Sequence, residues 1–127
     1  MGRGWIGVDL DGTLAFYAHD DWQGPTHIGE PIPSMVERIK NWLAEGYEVR
    51  VFTARVASTS DKRKAAQKAI GDWTEKHLGV RLKATAEKDY SMIELWDDRC
   101  VQVIENTGMP LQSRIEASDR KCGVPPQ

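Results

Sequence analysis

The chain has 127 residues, 40% hydrophobic and 28% charged, with a formal net charge of −2. A single domain of this size can bury roughly two-thirds of the surface its unfolded form exposes, so no staple is needed and global disorder is excluded. The near-neutral charge argues against a broad electrostatic footprint for nucleic acid.

Taken in chain order, Trp5–Leu10 (WIGVDL) is a short apolar, β-favouring run that ends at once in Asp11-Gly12, which predicts a buried strand followed by a turn. Residues 15–33 hold prolines, glycines, His19, His27 and the pair Asp20-Asp21 without helical period, and read as a loop. Ser34 and Glu37 have the spacing of a capping box, and Met35, Ile39, Trp42 and Leu43 share a helical face that ends at Gly46. Glu48–Thr53 alternates as a strand. A second helix is expected from Asp61 to Leu78, capped by Ser60 and stopped by Gly79, with Gly71 as an internal weak point. Val80–Ala86, Met92–Trp96 and Cys100–Ile104 read as a third, fourth and fifth strand. A C-terminal tail, 109–127, closes a core of 1–108. Cys100, inside an apolar run, is expected to be a small buried residue, and Cys122 a free thiol. The pair has neither metal-ligand spacing nor a disulfide framework. With no long apolar segment at the start, the expectation is a cytoplasmic protein without a membrane span.

This alternation of strands and helices predicts an α/β fold: a single Rossmann-like, three-layer domain around a mostly parallel sheet of about five strands. In such sheets ligands bind beyond the carboxyl ends of the strands. Polar clusters fall there: Asp9-x-Asp11-Gly12-Thr13 after the first strand, Thr53-Ala54-Arg55 after the second, and Asp97-Asp98-Arg99 after the fourth. Lys88 follows the end of the third strand, whereas Lys83 lies within it and would point sideways. Several carboxylates in one cleft repel one another and need a cation to be ionised together. An all-oxygen set suits Mg²⁺. A carboxylate beside that ion can attack phosphorus, a second two positions on can serve as acid and then base, and Thr53 and Lys88 could hold the non-bridging oxygens.

DLDGT at Asp9–Thr13, FTAR at Phe52–Arg55, a lysine at Lys88 and DDR at Asp97–Arg99 resemble, in order, the four motifs of haloacid dehalogenase (HAD) superfamily phosphohydrolases. The resemblance implies a phosphomonoesterase with Asp9 as nucleophile and Asp11 as general acid/base. It implies Mg²⁺ held by Asp9, the main-chain carbonyl of Asp11, Asp97 and, as ligand or close neighbour, Asp98. Thr53 and Lys88 would bind the phosphate. Between Thr13 and Glu48 there is little more than a loop and one helix, so no large cap domain is expected, and the chain is similar to small capless members of bacterial and phage origin.

The loop at 15–33 could cover the site. Arg55 and Arg99 could grip a second anion, a structural salt bridge being at least as good a reading. Lys62-Arg63-Lys64 and Lys68 could form a local patch for nucleic-acid ends, a solvated helix face being the default. The physiological substrate and the oligomeric state are not legible. A metal- and phosphate-binding regulatory domain with weak turnover is the rival function, and a nucleic-acid end phosphatase the rival within the enzyme class.

Overall fold

The structure is a computed structural model and describes residues 4–18, 20 and 22–111. In chain order it contains β1 (Trp5–Asp9), α1 (Pro33–Ala44), β2 (Glu48–Phe52), a single 3₁₀ turn (Ala54–Val56), α2 (Ser60–Leu78), β3 (Ala84–Thr85) and β4 (Met92–Trp96). The strands form one parallel sheet in the order β3-β2-β1-β4. The described residues form an α/β domain without a large cap.

The connections from β1 through α1 to β2, and from β2 through α2 to β3, step in the same direction along the sheet. Right-handed crossovers therefore place both helices on one face. One buried cluster confirms the arrangement, uniting Ile6 and Val8 of β1, Val49 and Val51 of β2, Met35 and Ile39 of α1, and Ala66 and Ile70 of α2. The alternate residues of β1, Trp5, Gly7 and Asp9, belong to the other face.

That second face resolves a difficulty in the sequence. β3 and β4 stand at opposite edges of the sheet, yet only residues 86–91 join them, too few for a helical crossover. The chain instead crosses the bare face. Asp89 accepts a hydrogen bond from the Trp5 indole at 2.9 Å and lies 3.7 Å from Arg50, while the Trp5 amide donates to Ser91 O at 2.9 Å. Arg50 stacks over the Trp5 ring at 4.4 Å. The layer opposite the helices is thus a strip of irregular chain.

Several expectations are corrected. The capping box does not form: α1 begins one residue earlier at Pro33, with Ile32 as N-cap and no side-chain cap. A proline suits the first helical position because its missing N–H would have no partner there; this puts Ser34 inside the first turn. The third strand is two residues long, because Leu82 N–H is taken by the buried Thr74 hydroxyl of α2 at 3.0 Å instead of a neighbouring strand. Cys100–Ile104 is not a strand. Val101, Val103 and Ile104 are exposed, and only an isolated bridge, Val103 to Pro110, folds that segment on itself. Among the described residues the sheet has four strands rather than about five. Cys100, expected buried, is exposed.

Ser60, expected to cap the second helix, is instead its first residue, and Thr59 stands at the N-cap. α1 ends in a Schellman motif, with Gly46 at φ 92°, its amide on Leu43 O and the Tyr47 amide on Trp42 O. α2 runs unbroken through Gly71, whose missing side chain leaves room for the Arg81 guanidinium: a Cβ there would lie 2.8 Å from it. The expected tail beyond Leu111, with Cys122, lies outside the described residues, as do His19 and Asp21.

Candidate active site

The parallel register sets the carboxylates side by side. Val8 pairs with Trp96 and with Val51, so Asp9, the next residue of β1, stands beside Asp97, just past β4. On its other side is Phe52, followed by Thr53. Carboxylate oxygens of Asp9, Asp97 and Asp98 lie within 4.8 Å of one another, close enough to share one metal ion.

Local backbone geometry holds the three in place. After β1 the chain turns tightly, with Ala15 N–H on Leu10 O at 2.8 Å and Gly12 N–H on Ala15 O at 2.8 Å. Gly12 is at φ 92°, and a Cβ on it would sit 2.8 Å from the Asp98 carboxylate. Only glycine therefore allows the turn and the fourth strand's acidic loop to approach this closely. Thr13 joins the two sides: its hydroxyl accepts from Asp98 N–H at 3.0 Å and lies 3.1 Å from Asp98 Oδ1 and 3.3 Å from Asp9 Oδ2. Asp97 Oδ1 accepts from Arg99 N–H at 2.8 Å, an Asx turn that fixes its rotamer.

The electrostatic consequence falls on Asp9. Burial, hydrogen bonding with Asp98 and the charges of Asp97, Asp98 and Asp11 raise its carboxyl from the ordinary 3.8 to about 7. A group of carboxylates in this state holds a proton in place of a cation. The donor set is all oxygen and the oxygens already converge, so the residues fit Mg²⁺.

Asp11 faces another way. Its two carboxylate oxygens accept from Arg55 Nε at 2.9 Å and Arg55 Nη2 at 2.8 Å, a bidentate fork, while Arg55 Nη1 donates to Pro25 O at 3.0 Å and His27 O at 2.7 Å. The Arg55 side chain is only 6% exposed, and it stacks over the Trp22 ring at 4.8 Å. The Asp11 side chain is thus committed to Arg55 and stands apart from the three-carboxylate cluster. Thr53 is buried in the cleft wall, with Oγ accepting from Arg55 N–H at 3.1 Å, a bond that leaves the hydroxyl proton available.

The cleft has a volume of about 730 Å³, and its walls include Asp9, Asp11, Asp97 and Asp98, then Thr53, Ser58, Lys62, Arg99, Tyr17 and Trp22. Lys88 is exposed on the strip between β3 and β4 and is not part of this wall. Of the residues picked out in the sequence, Asp9, Asp11, Thr53, Asp97 and Asp98 are brought together and Lys88 is not. Lys62 was visible only as one of a run of basic residues on a helix face. Its signal was its place in the first turn of the helix that follows the second motif, at the end of the sheet where the carboxylates gather. Ser58 had no signal; its Oγ is buried without a hydrogen-bond partner among the described residues.

No family model matches the chain, and no curated protein matches it. Among solved structures, the chain is similar to a conserved protein from Bacteroides thetaiotaomicron, with a TM-score of 0.50 and 20% identity over 94% of this chain and 91% of that one. That likeness shows a shared fold. The chain also aligns with the D,D-heptose 1.7-bisphosphate phosphatase from B. bronchiseptica, solved with magnesium and phosphate, at a TM-score of 0.44 and 16% identity, over 95% of this chain and 64% of that one.

Proposed function

We propose that the protein is a magnesium-dependent phosphomonoesterase of the HAD type, with Asp9 as nucleophile and Asp11 as general acid/base. The observation that carries this reading is the convergence of Asp9, Asp97 and Asp98 to within 4.8 Å, at the carboxyl end of a parallel sheet, with the Asp9 proton held to about 7. Such a cluster costs stability unless a cation or a proton occupies it, so it is better explained as a site than as packing.

Asp9, Asp97, Asp98 and the main-chain carbonyl of Asp11 would hold Mg²⁺, which supplies charge neutralisation for the phosphoryl oxygens. An Asp9 oxygen attacks phosphorus as the ester bond breaks, and the departing oxygen takes a proton from Asp11. The resulting aspartyl-phosphate is opened by water, which gives its proton to Asp11. The products are an alcohol and inorganic phosphate. The Thr53 hydroxyl holds a non-bridging oxygen, and a lysine holds another. Lys62, in the cleft wall, and Lys88, on the neighbouring strip, are the two for that role; single alanine variants assign it, the phosphate-holding lysine being the one whose loss lowers kcat.

Arg55 orients Asp11, and at least one bond of its fork must open before Asp11 can exchange a proton. The test of the whole reading is hydrolysis of p-nitrophenyl phosphate with Mg²⁺ or with chelator. Turnover that needs the metal and disappears in Asp9→Asn and Asp11→Asn is expected. Equal turnover by wild type and Asp9→Asn would remove the proposal.

A further inference from the structure

Much of the cleft is larger than its chemistry requires. A phosphoryl group and one metal ion fill only a corner of about 730 Å³, a volume typical of sites that enclose a whole small molecule. Part of the remaining wall comes from the segment between β1 and α1 and part from the chain after β2. Ser58 and Lys62 come from the chain after β2, and the segment between β1 and α1 contributes Tyr17, Trp22 and Pro25.

This segment is fastened at several points. Phe16 N–H donates to Glu30 O and Ile32 N–H to Leu14 O, both at 2.8 Å; the Trp73 indole donates to Gly29 O at 3.1 Å; and Arg55 grips the carbonyls of Pro25 and His27. Trp22 is presented by the same device. One face of its ring lies against the Arg55 guanidinium at 4.8 Å, and the indole is still 53% exposed. A large aromatic ring left half in water at the mouth of a catalytic cleft, and held in orientation by a buried cation, is a stacking platform. The same cleft wall holds an unsatisfied polar atom: Ser58 Oγ is buried with no hydrogen-bond partner among the described residues, so a ligand hydroxyl or anion there would satisfy it.

We propose that this wall is the leaving-group subsite, and that the substrate is a phosphomonoester whose leaving group carries a planar aromatic ring of nucleoside type, stacked on Trp22 with polar contacts from Ser58 and Lys62. The inference rests on the phosphatase reading above and adds a substrate class to it. Arg55 then has a second task, since the guanidinium that orients Asp11 also holds the surface on which the leaving group lies. Ring placement and proton delivery are set by one side chain.

The test compares kcat/KM for adenosine monophosphate, phenyl phosphate and glycerol phosphate in the presence of Mg²⁺. Wild type is expected to prefer adenosine monophosphate over glycerol phosphate by at least about tenfold, the scale of one base–aromatic stack. Trp22→Ala should bring that ratio close to one, and Trp22→Phe should retain most of it. Preference for phenyl phosphate equal to that for the nucleotide assigns the subsite to a single ring and overturns the nucleoside class. A wild-type ratio near one, or a ratio unchanged in Trp22→Ala, overturns the subsite. Calorimetric binding of adenosine monophosphate to Asp9→Asn, with and without Trp22→Ala, separates this from the chemistry. Binding weakened about tenfold by the second substitution supports the subsite even if no ester is hydrolysed, an outcome that would sink only the phosphatase reading.

Discussion

Asp9 is partly buried among three other carboxylates, and its proton has consequences for both stability and metal binding. Its folded-state value, about 7, lies above the ordinary 3.8, so between those values the folded protein keeps a proton that the unfolded chain has released. Stability of the metal-free protein therefore falls as pH rises through this window. Asp9→Asn removes the penalty and should raise the melting temperature of the metal-free protein at pH 8 by a few degrees (~1 kcal/mol after solvent screening). No gain is expected near pH 3, where wild type carries the proton in both states. A melting temperature lowered at pH 8 would contradict the assignment of strain to that carboxyl. The same proton competes with Mg²⁺, so metal affinity should weaken by about tenfold for each unit of pH below 7. Arg55 belongs to this scale too. Arg55→Lys cannot reproduce the fork on Asp11, and a kcat loss of about a hundredfold is expected from misplacement of the acid/base, with KM for glycerol phosphate changed much less. The carboxylates were legible in the sequence because each follows a recognisable strand end. Arg55 was ambiguous there, since nothing in FTAR tells whether the guanidinium faces substrate or Asp11. Lys62 was hidden by Arg63 and Lys64, which give the same sequence pattern a solvent-facing explanation.

At the scale of elements, the strand–turn joints decide the site. Gly12→Ala places a Cβ within 2.8 Å of the Asp98 carboxylate on a backbone at φ 92°. It should displace Asp98 and weaken Mg²⁺ binding at least tenfold in a titration, while far-UV circular dichroism stays native. The joint between α2 and β3 rests on Thr74, which is fully buried, donates to Gly71 O at 3.0 Å and accepts from Leu82 N–H. Thr74→Val keeps the shape and strands that N–H, at a cost of about 1–3 kcal/mol in denaturant unfolding. Elements with a strong period were legible, namely β1, β2, β4 and both helices. The short β3 was not, because its expected residues are claimed by a side chain of α2. Nor was the absence of a fifth strand, because Val101, Val103 and Ile104 carry strand composition with no partner strand among the described residues to receive them. Composition predicts a strand only where a neighbour completes the ladder.

At the scale of the molecule, the described residues form a four-stranded parallel sheet with two helices on one face and a strip of chain on the other. No described helix is long and apolar enough to cross a membrane. The segment between β1 and α1 lines part of the cleft and is fastened by Arg55 and Trp73. Metal binding should therefore stabilise the folded protein without a large change in shape. A rise of about 2.7 kcal/mol is expected at a Mg²⁺ concentration a hundred times the dissociation constant, and it should be largely lost in Asp97→Asn. The α/β class was legible from the order of elements, and the place of the candidate site from the strand-end rule. The route of the β3–β4 connection was not, because it depends on Trp5, Arg50 and Asp89 meeting across the sheet.

The central claim is that Asp9 becomes phosphorylated. The direct measurement is intact-mass and peptide analysis of acid-quenched Asp11→Asn protein after incubation with Mg²⁺ and p-nitrophenyl phosphate, since loss of the general base should let the intermediate persist. A mass gain of one phosphoryl group, mapped to Asp9, removed by hydroxylamine and absent without Mg²⁺ or in the Asp9→Asn/Asp11→Asn protein, is the predicted result. Hydrolysis by wild type with no label on Asp9, or a label on another residue, would contradict the account.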